Sequence, residues 1–352
     1  MEATRLIDPS FWSSAEPAAP GSELPDGVND PIGLVWFQTS GSTGRPRWIG
    51  HSREGLLLSA AVVNRHLGVT EDDVWGLALP LHHVGGFGVV ARAFESGCRL
   101  ESDLGKWEPG QLLEWLKAVG VTHLSLVPTQ VHDLVRLGVA PPPSVRAVVV
   151  GGGCLDQSTG QAARDLGWPV LASYGMTEAA SQIATQGEGE LRCPYQMDGL
   201  PVLPHWEVES SDDGILRLKG PSLFVATLEA SEGRWKFAPR DDDWFETQDR
   251  VKMEAGRLTM LGRVDRVVKV LGELVDLAAV ERAIGLEGVA VVAAGDDRNG
   301  ARLVAYSEVD DGQRAVERYN GGVAGPWKVS ACVRVESLPR SELGKVRYAE
   351  LG

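Results

Sequence analysis

The stretch THLSLVPTQVHDLVRLGVAPPPSVRAVVVGGGCLDQSTGQAARDLGWPVLAS, residues 122–173, decides the fold. Strand-like and helix-like segments alternate through it: Thr122–Val127, Gln130–Leu137, Val145–Val150, Gln161–Leu166 and Val170–Ser173. Such alternation is the pattern of an α/β sheet with helices on its faces. Upstream, Val74–Leu79, Gly88–Phe94 and Gln111–Val119 continue it. Further back, Ile32–Gln38 reads as a buried strand, Thr39–Arg47 as a polar loop and Trp48–His51 as a second strand. Ser52 is placed to cap a helix over Gly55–Leu67, where Leu56, Leu57, Ala60, Val63 and Leu67 share a face.

The first thirty residues, with Pro17, Pro20 and Pro25, hold no apolar period and read as an irregular leader. From about 199 to 261 the texture turns to short strands with turn signals such as Asp213-Gly214 and Ala255-Gly256. After Gly262 a helix at Leu277–Ile284, strands flanking Gly295–Gly300, a helix near Gln313–Tyr319 and a strand at Val329–Val335 form a compact α+β unit. The expected class is therefore α/β: a large N-terminal α/β domain over 31–264 with a β-rich section, and a small α+β domain over 265–352.

At 352 residues the chain exceeds what one core usually supports, which agrees with that division. Lys and Arg number 34 against 48 Asp and Glu, a formal charge of −14, which excludes a broad basic surface for nucleic acid or anionic lipid. No apolar run is long enough to cross a membrane. The start, with Glu2, Asp8 and Glu16, lacks the features of a signal peptide, so a cytoplasmic setting is expected. Cys98, Cys154, Cys193 and Cys332 lie far apart with no C-x-x-C, which points to ordinary buried thiols and to neither a zinc ribbon nor a disulfide framework.

The strongest local signal is the loop Thr39-Ser40-Gly41-Ser42-Thr43-Gly44-Arg45-Pro46-Arg47. Its hydroxyls can donate to phosphate oxygens, its glycines admit close backbone approach, and its N–H groups can turn to an anion, so it reads as a triphosphate cradle. It is neither a Walker loop nor a G-x-G-x-x-G fingerprint; the plain alternative is a Ser/Gly surface loop. Ser173-Tyr174-Gly175-Met176-Thr177-Glu178 lies at the end of a predicted strand, where ligands of open α/β sheets bind. There Tyr174 offers a face to a purine, Thr177 a donor to phosphate and Glu178 a carboxylate to Mg²⁺. Gly151-Gly152-Gly153 follows an apolar run and leaves a strand end clear for a flat base.

With PLHHVGG at 80–86, TQD at 247–249, GRVDRVVKVLGE at 262–273 and PRSELGK at 339–345, these motifs fall in the order found in adenylate-forming enzymes. The chain resembles that superfamily of acyl-CoA synthetases, nonribosomal adenylation domains and luciferases from about Ile32 to Tyr348. The resemblance implies that a carboxylate and Mg·ATP give an acyl-adenylate and pyrophosphate, after which a thiol, usually that of CoA, displaces AMP. Positioning and charge neutralisation dominate such a step, and no side-chain nucleophile is needed.

Carried over residue by residue, the resemblance assigns Thr39, Ser40, Ser42 and Thr43 to the β- and γ-phosphates, with Gly41, Gly44 and Arg47 on the same loop. Tyr174, with Ser173, Gly175 and Gly151–Gly153, would face the adenine, Thr177 the α-phosphate and Glu178 the metal. Asp249 would accept the ribose hydroxyls, Arg263 would lie near the ribose, and Asp265 would be the hinge of a mobile C-terminal domain. Lys345 would bridge the substrate carboxylate and the α-phosphate. Gly272 and Glu273 would lie along the pantetheine tunnel, after a structural or phosphate-binding Lys269. His83 would line the acyl pocket and tunnel entrance beside His82; the alternative is two hydrogen-bonded loop histidines.

Within the superfamily, YGMTEAASQI and PLHHVGGFGVVARAF look most like o-succinylbenzoate:CoA ligases of menaquinone biosynthesis. Such a substrate has a second carboxylate, for which Arg92 is the candidate partner, with Ser181 and Gln182 as further donors. The competing reading of Arg92 is a surface helix cation. Other aryl or short-chain acid activation, carrier-protein loading, and a non-catalytic nucleotide-binding homologue are the alternative functions. Three departures stand out. Only 38 residues precede Thr39, fewer than is usual in the family, leaving sheet to be covered, for example by a second subunit in a homodimer. Arg47 replaces the usual Lys, and Gln248 replaces the Gly of T-G-D, which puts the local turn in question.

Overall fold

The computed structural model describes residues 2–28, 30–39, 47–102, 104–231, 234–296, 300–342 and 344–351. The chain divides into two compact units. The first takes Met1–Glu209, Arg217–Phe245 and Met253–Thr259; the second takes Ser210–Leu216, Glu246–Lys252 and Met260–Gly352.

The leader is more ordered than its composition predicts. It opens with two single-turn helices, α1 (Ala3–Leu6) and α2 (Pro9–Trp12), the second capped by Asp8. Phe11 and Trp12 are buried, and Trp12 stacks on Phe94 with ring centroids 5.1 Å apart. Farther on, Ala18 pairs in parallel with Val35 at the edge of β1 (Val35–Thr39). These contacts are made with residues distant in sequence, so no local period announces them. β1 pairs with β2 (Arg47–His51), and Ser52 caps α3 (Arg53–His66) as its position predicts. The buried Arg53 donates to the carbonyls of Phe11, Glu16 and Gly33, tying leader to helix.

The alternating stretch forms a six-stranded sheet. Its elements are β3 (Val74–Gly76), α4 (Val84–Ser96), β4 (Arg99–Glu101), α5 (Pro109–Val119), β5 (His123–Leu126), α6 (Pro128–Leu137), β6 (Ala147–Val150), α7 (Gln157–Asp165), β7 (Val170–Met176) and β8 (Ser181–Thr185). The strand order is β4-β3-β5-β6-β7-β8, parallel except for the antiparallel β7–β8 pair. β5 and β6 are buried throughout, as strands covered on both faces must be. The helices begin earlier than their apolar periods suggest, because Pro109 and Pro128 occupy first turns and the Asp156 carboxylate accepts the Thr159 N–H. The expectation of buried thiols holds for Cys98 alone: Cys154 and Cys193 are exposed, because both stand in connections outside the sheet, and Cys332 is half-buried.

The β-rich section contributes β9 (Leu200–Pro201), β10 (Glu207–Ser210), β11 (Ile215–Lys219), β12 (Ala226–Ser231), β13 (Arg234–Pro239), β14 (Phe245–Glu254) and β15 (Arg257–Arg263). β12 joins β2 and β13, completing a four-stranded sheet in the order β1-β2-β12-β13. In the second unit, β16 (Val267–Val270) and β17 (Glu273–Asp276) make a hairpin, followed by α8 (Leu277–Ile284). β18 (Val289–Asp296), β19 (Gly300–Ser307), α9 (Gly312–Gly322) and β20 (Val329–Arg334) complete it, and the three strands form one sheet. Val275, Val280, Val291, Leu303 and Val316 lie in its apolar core. Among the described residues no helix is long and apolar enough to cross a membrane.

Candidate nucleotide and acid site

Within the first unit, β1 and β2 flank the polar loop. Ser40, Gly41, Ser42, Thr43 and Gly44 lie outside the described residues. At the two ends of the loop, the Thr39 hydroxyl donates to the Arg47 carbonyl at 3.3 Å. Arg47 Nη1 stands 4.0 Å from Glu178 Oε1, and its Nε 3.9 Å from Glu229 Oε1. Arg47, at the end of the loop, thus stands beside Glu178 of the SYGMTE motif. Glu178 keeps a half-buried carboxylate beside a cation that it shares with Glu229, and a hard divalent ion is the ligand such an oxygen suits.

β7 carries Ser173, Tyr174 and Gly175, paired with β8, to the end of the strand, and Thr177 and Glu178 follow in a tight 3₁₀ turn. The chain then doubles back sharply, with Ala180 and Ser181 both at positive φ, 49° and 97°. Gly175 is required here, because a Cβ on it would lie 1.6 Å from the Ser181 carbonyl oxygen. Beside this turn, Gly151 follows β6, and a Cβ on it would reach within 3.4 Å of the Ser173 carbonyl. Gly151 therefore presents bare backbone next to Ser173, while Gly152 and Gly153 turn toward Val127 and Pro128.

The return strand β8 begins at the residues expected to meet the acid. Ser181, Gln182, Arg92 and Gly88 line one cavity with residues of α3, its free volume about 10 Å³, room for a single water. Arg92 is 2% exposed, so the surface-cation reading fails: α4 faces it inward between the sheet and α3. Its Nε donates to the Gly88 carbonyl at 2.8 Å and Nη1 to Ser125 Oγ at 3.3 Å, while the guanidinium lies 4.4 Å from the Trp75 ring centroid. Burial pushes Arg92 down to about 9, which leaves it cationic at neutral pH. Gln182 donates to Thr185 Oγ1 at 2.8 Å and to Ser173 Oγ at 3.3 Å, linking β8 to β7.

His82 and His83 are half-buried with ring centroids 4.3 Å apart, and His83 precedes the first turn of α4, its carbonyl accepting the Phe87 N–H. The leader reaches this motif too: a Cβ on Gly21, at φ 69°, would lie 2.9 Å from the His82 nitrogen.

In the second unit, Asp249, Arg263 and Asp265 form one cluster. Arg263 Nη1 donates to Asp249 Oδ1, and its Nε and Nη2 grip both oxygens of Asp265, all at 2.9 Å. Gln248 raises no difficulty, because β14 runs unbroken through it as an extended strand, so no turn here needs glycine. Gly272, at φ 88°, follows Leu271 at φ 51° in the tip of the β16–β17 hairpin. Around that tip Lys269, Glu273, Leu271 and Leu274 are exposed, Leu274 to 68%. Lys345 is exposed in a tight turn in which its N–H donates to Ser341 Oγ at 3.1 Å and its carbonyl accepts the Ser341 N–H at 2.7 Å.

Two residues that the motif reading passed over belong to the site. His51 donates from Nε2 to the Thr177 carbonyl at 2.7 Å, and the Phe224 N–H donates to the Glu178 carbonyl at 2.9 Å. The available signal for His51 was parity: Arg47, Ile49 and His51 share one face of a strand.

This fold and these motifs meet in one family. Residues 10–220 match the AMP-binding enzyme family, and the chain belongs to it. Among curated relatives, a 2-succinylbenzoate–CoA ligase of Listeria innocua is 30% identical over 330 residues, covering 89% of this chain and 68% of the relative. The ligase of the same description from Escherichia coli K12 is 32% identical over 287 residues, covering 77% of this chain and 58% of the relative. Among solved structures, an E. coli MenE variant with bound OSB-AMS superimposes with a TM-score of 0.74 at 27% identity, covering 94% of this chain and 70% of that one. The Bacillus subtilis o-succinylbenzoate CoA synthetase with its acyl-adenylate intermediate gives a TM-score of 0.76 at 23% identity and covers 94% and 72%, which bears on the fold alone.

Proposed function

We propose that the chain is an ATP-dependent, AMP-forming acid:CoA ligase whose acid is o-succinylbenzoate, a reaction of menaquinone biosynthesis carried out in the cytoplasm. The observation that carries the choice of acid is the buried Arg92 sharing a cavity with Ser181 and Gln182, one strand turn from Thr177 and Glu178. A buried guanidinium facing polar donors suits a second carboxylate that does not react. The names of the relatives at 30% and 32% identity support the same acid.

In this proposal one oxygen of the acid's reacting carboxylate attacks the α-phosphorus of ATP and pyrophosphate leaves. The thiolate of CoA then attacks the acyl carbon and AMP leaves. Thr39 and the adjoining loop hold the outer phosphates, Arg47 offsets their charge, and Thr177 donates to the α-phosphate. Tyr174 and Gly151–Gly153 enclose the adenine, Asp249 and Arg263 take the ribose, and Lys345 bridges the reacting carboxylate and the α-phosphate. Mg²⁺, held through Glu178, supplies further neutralisation of phosphate charge. Asp265 is the hinge of the mobile C-terminal domain, Gly272 gives passage to the pantetheine arm, and His82 and His83 border the acyl pocket. Because the cavity at Arg92 has room for one water, entry of the acid displaces side chains around it.

The test is incubation of the purified chain with ATP, Mg²⁺, CoA and a panel of acids, read by mass. O-succinylbenzoyl-CoA with AMP and pyrophosphate is the expected product. A thioester formed only from another acid, or only on a carrier protein, rejects the assignment.

A further inference from the structure

β2 begins at the phosphate-binding loop and ends at His51. Side chains two apart on a strand share a face, so Arg47 and His51 are borne by one face of a strand about 13 Å long that is paired on both sides. That face touches the Thr177–Glu178 turn twice: Arg47 Nη1 at the Glu178 carboxylate, 4.0 Å away, and His51 Nε2 at the Thr177 carbonyl, 2.7 Å away.

The ring of His51 is wholly buried and packs against Phe37. A carbonyl only accepts, so Nε2 carries the proton, and Nδ1 is left without a protein partner among the described residues. Burial holds the imidazole down to about 4, and it is therefore neutral while donating this bond. Burying a ring nitrogen unpaired is costly, and the hydrogen bond on the other nitrogen is what the arrangement retains in return.

The next carbonyl is fixed as well. Phe224 donates its N–H to the Glu178 carbonyl at 2.9 Å, and the following Val225 N–H donates to the Gly50 carbonyl at 2.7 Å. β2 and β12 are neighbours in one sheet, so two consecutive carbonyls of the turn are anchored to the same support. The turn needs this support, because it runs directly into Ala180 and Ser181 in the left-handed region, which side-chain-bearing residues rarely adopt.

We infer that His51 is a positioning residue for acid activation: its bond to the Thr177 carbonyl aims the Thr177 hydroxyl and the Glu178 carboxylate toward the Arg47 end of β2. This deepens the ligase reading and rests on it. Small errors in such geometry are expensive, since a misplacement near 1 Å can cost on the order of 100-fold in rate.

The experiment compares His51→Leu, which removes the donor, with His51→Gln, which keeps a neutral N–H donor. Adenylation is followed by pyrophosphate release, the thioester step by CoA consumption from supplied acyl-adenylate, and folding by thermal melting. For folded His51→Leu, adenylation kcat should fall at least ~10-fold and require more Mg²⁺ for half-maximal rate, with KM for the acid changed less than about twofold and the thioester step within about twofold of wild type. His51→Gln should recover most of the rate. Equal loss in both half-reactions, equal loss in both variants, or unchanged adenylation overturns the inference. Should the wild-type chain activate no acid, AMP affinity measured by calorimetry with and without Mg²⁺ still decides the matter: His51→Leu is expected to reduce the gain that Mg²⁺ gives, and an unchanged gain overturns the role of His51 independently of the ligase reading.

Discussion

Arg263 Nη1 lies 2.9 Å from Asp249 Oδ1 while the rest of the same guanidinium closes on Asp265. Asp249 is 5% exposed, so its charge is held in place by this cation rather than by bulk water. Asp249→Asn preserves shape and removes that charge. AMP affinity measured by calorimetry should fall at least ~10-fold with little change in melting temperature; unaltered affinity would remove Asp249 from the ribose site.

Arg92 permits a test of acid choice. Arg92→Met keeps bulk in the cavity and deletes the charge. KM for o-succinylbenzoate should rise at least ~10-fold, and KM for a monocarboxylic aryl acid by less than about twofold. Arg92→Lys should fall short of wild type because a point charge cannot reproduce the planar fork. Parallel increases for both acids would mean that Arg92 supports the fold and does not read the second carboxylate.

A substitution at Lys345 tests its proposed role by separating the two half-reactions. Lys345→Ala should abolish pyrophosphate release and leave CoA acylation from supplied acyl-adenylate largely intact. The turn around Ser341 relies on backbone groups and the Ser341 hydroxyl, so melting should stay unchanged. Loss of both half-reactions to the same extent would contradict the role.

The leader carries a stability prediction. Arg53 is buried and donates to three leader and strand carbonyls, and Arg53→Met strands all three. A loss of roughly 2–4 kcal/mol in chemical denaturation is expected, together with faster proteolysis within the first twenty residues. Gly21→Val, strained at φ 69° and pressed against the His82 backbone nitrogen, should likewise lower stability, with a rise in the acid KM as the further effect checked.

Acid should destabilise the chain over a defined window. Burial is the leading cause that lowers His51, His123 and His205 from the usual 6.5 to about 4. The unfolded chain therefore binds more protons than the folded one between these values, and the contribution is intact above pH 6.5. It is lost progressively as pH falls toward about 4 and then levels off. Melting curves at pH 7.5, 6, 5 and 4 check this; His51→Gln should flatten the trend, and an equal slope in both proteins would show that other groups govern it.

Legibility in the sequence followed the range of the interactions. Residues 122–173 announced their sheet because a strand buried on both faces must be apolar along its whole length, a property visible in Val148–Val150 without knowledge of any partner. The order of the leader was hidden, because Ala18 becomes structured through Val35, and Trp12 through Phe94. Gly175 and Glu178 were readable as a motif. Arg92 was ambiguous, since a cation on a helix reads as exposed until the sheet, Trp75 and Ser125 are seen around it. His51 was invisible as a functional residue because its proposed role exists only where a turn more than a hundred residues away meets it.

The close backbone approach at Gly175 has a consequence for how this enzyme can diversify. Since the Ser181 carbonyl is pressed against that glycine, the turn at Thr177–Glu178 and the start of β8 share one close-packed backbone. On the proposed roles, exchanges at Arg92, Ser181 and Gln182 would retune which cargo is accepted while the frame around Gly175 is inherited intact, whereas an insertion between Gly175 and Ser181 would disturb both at once.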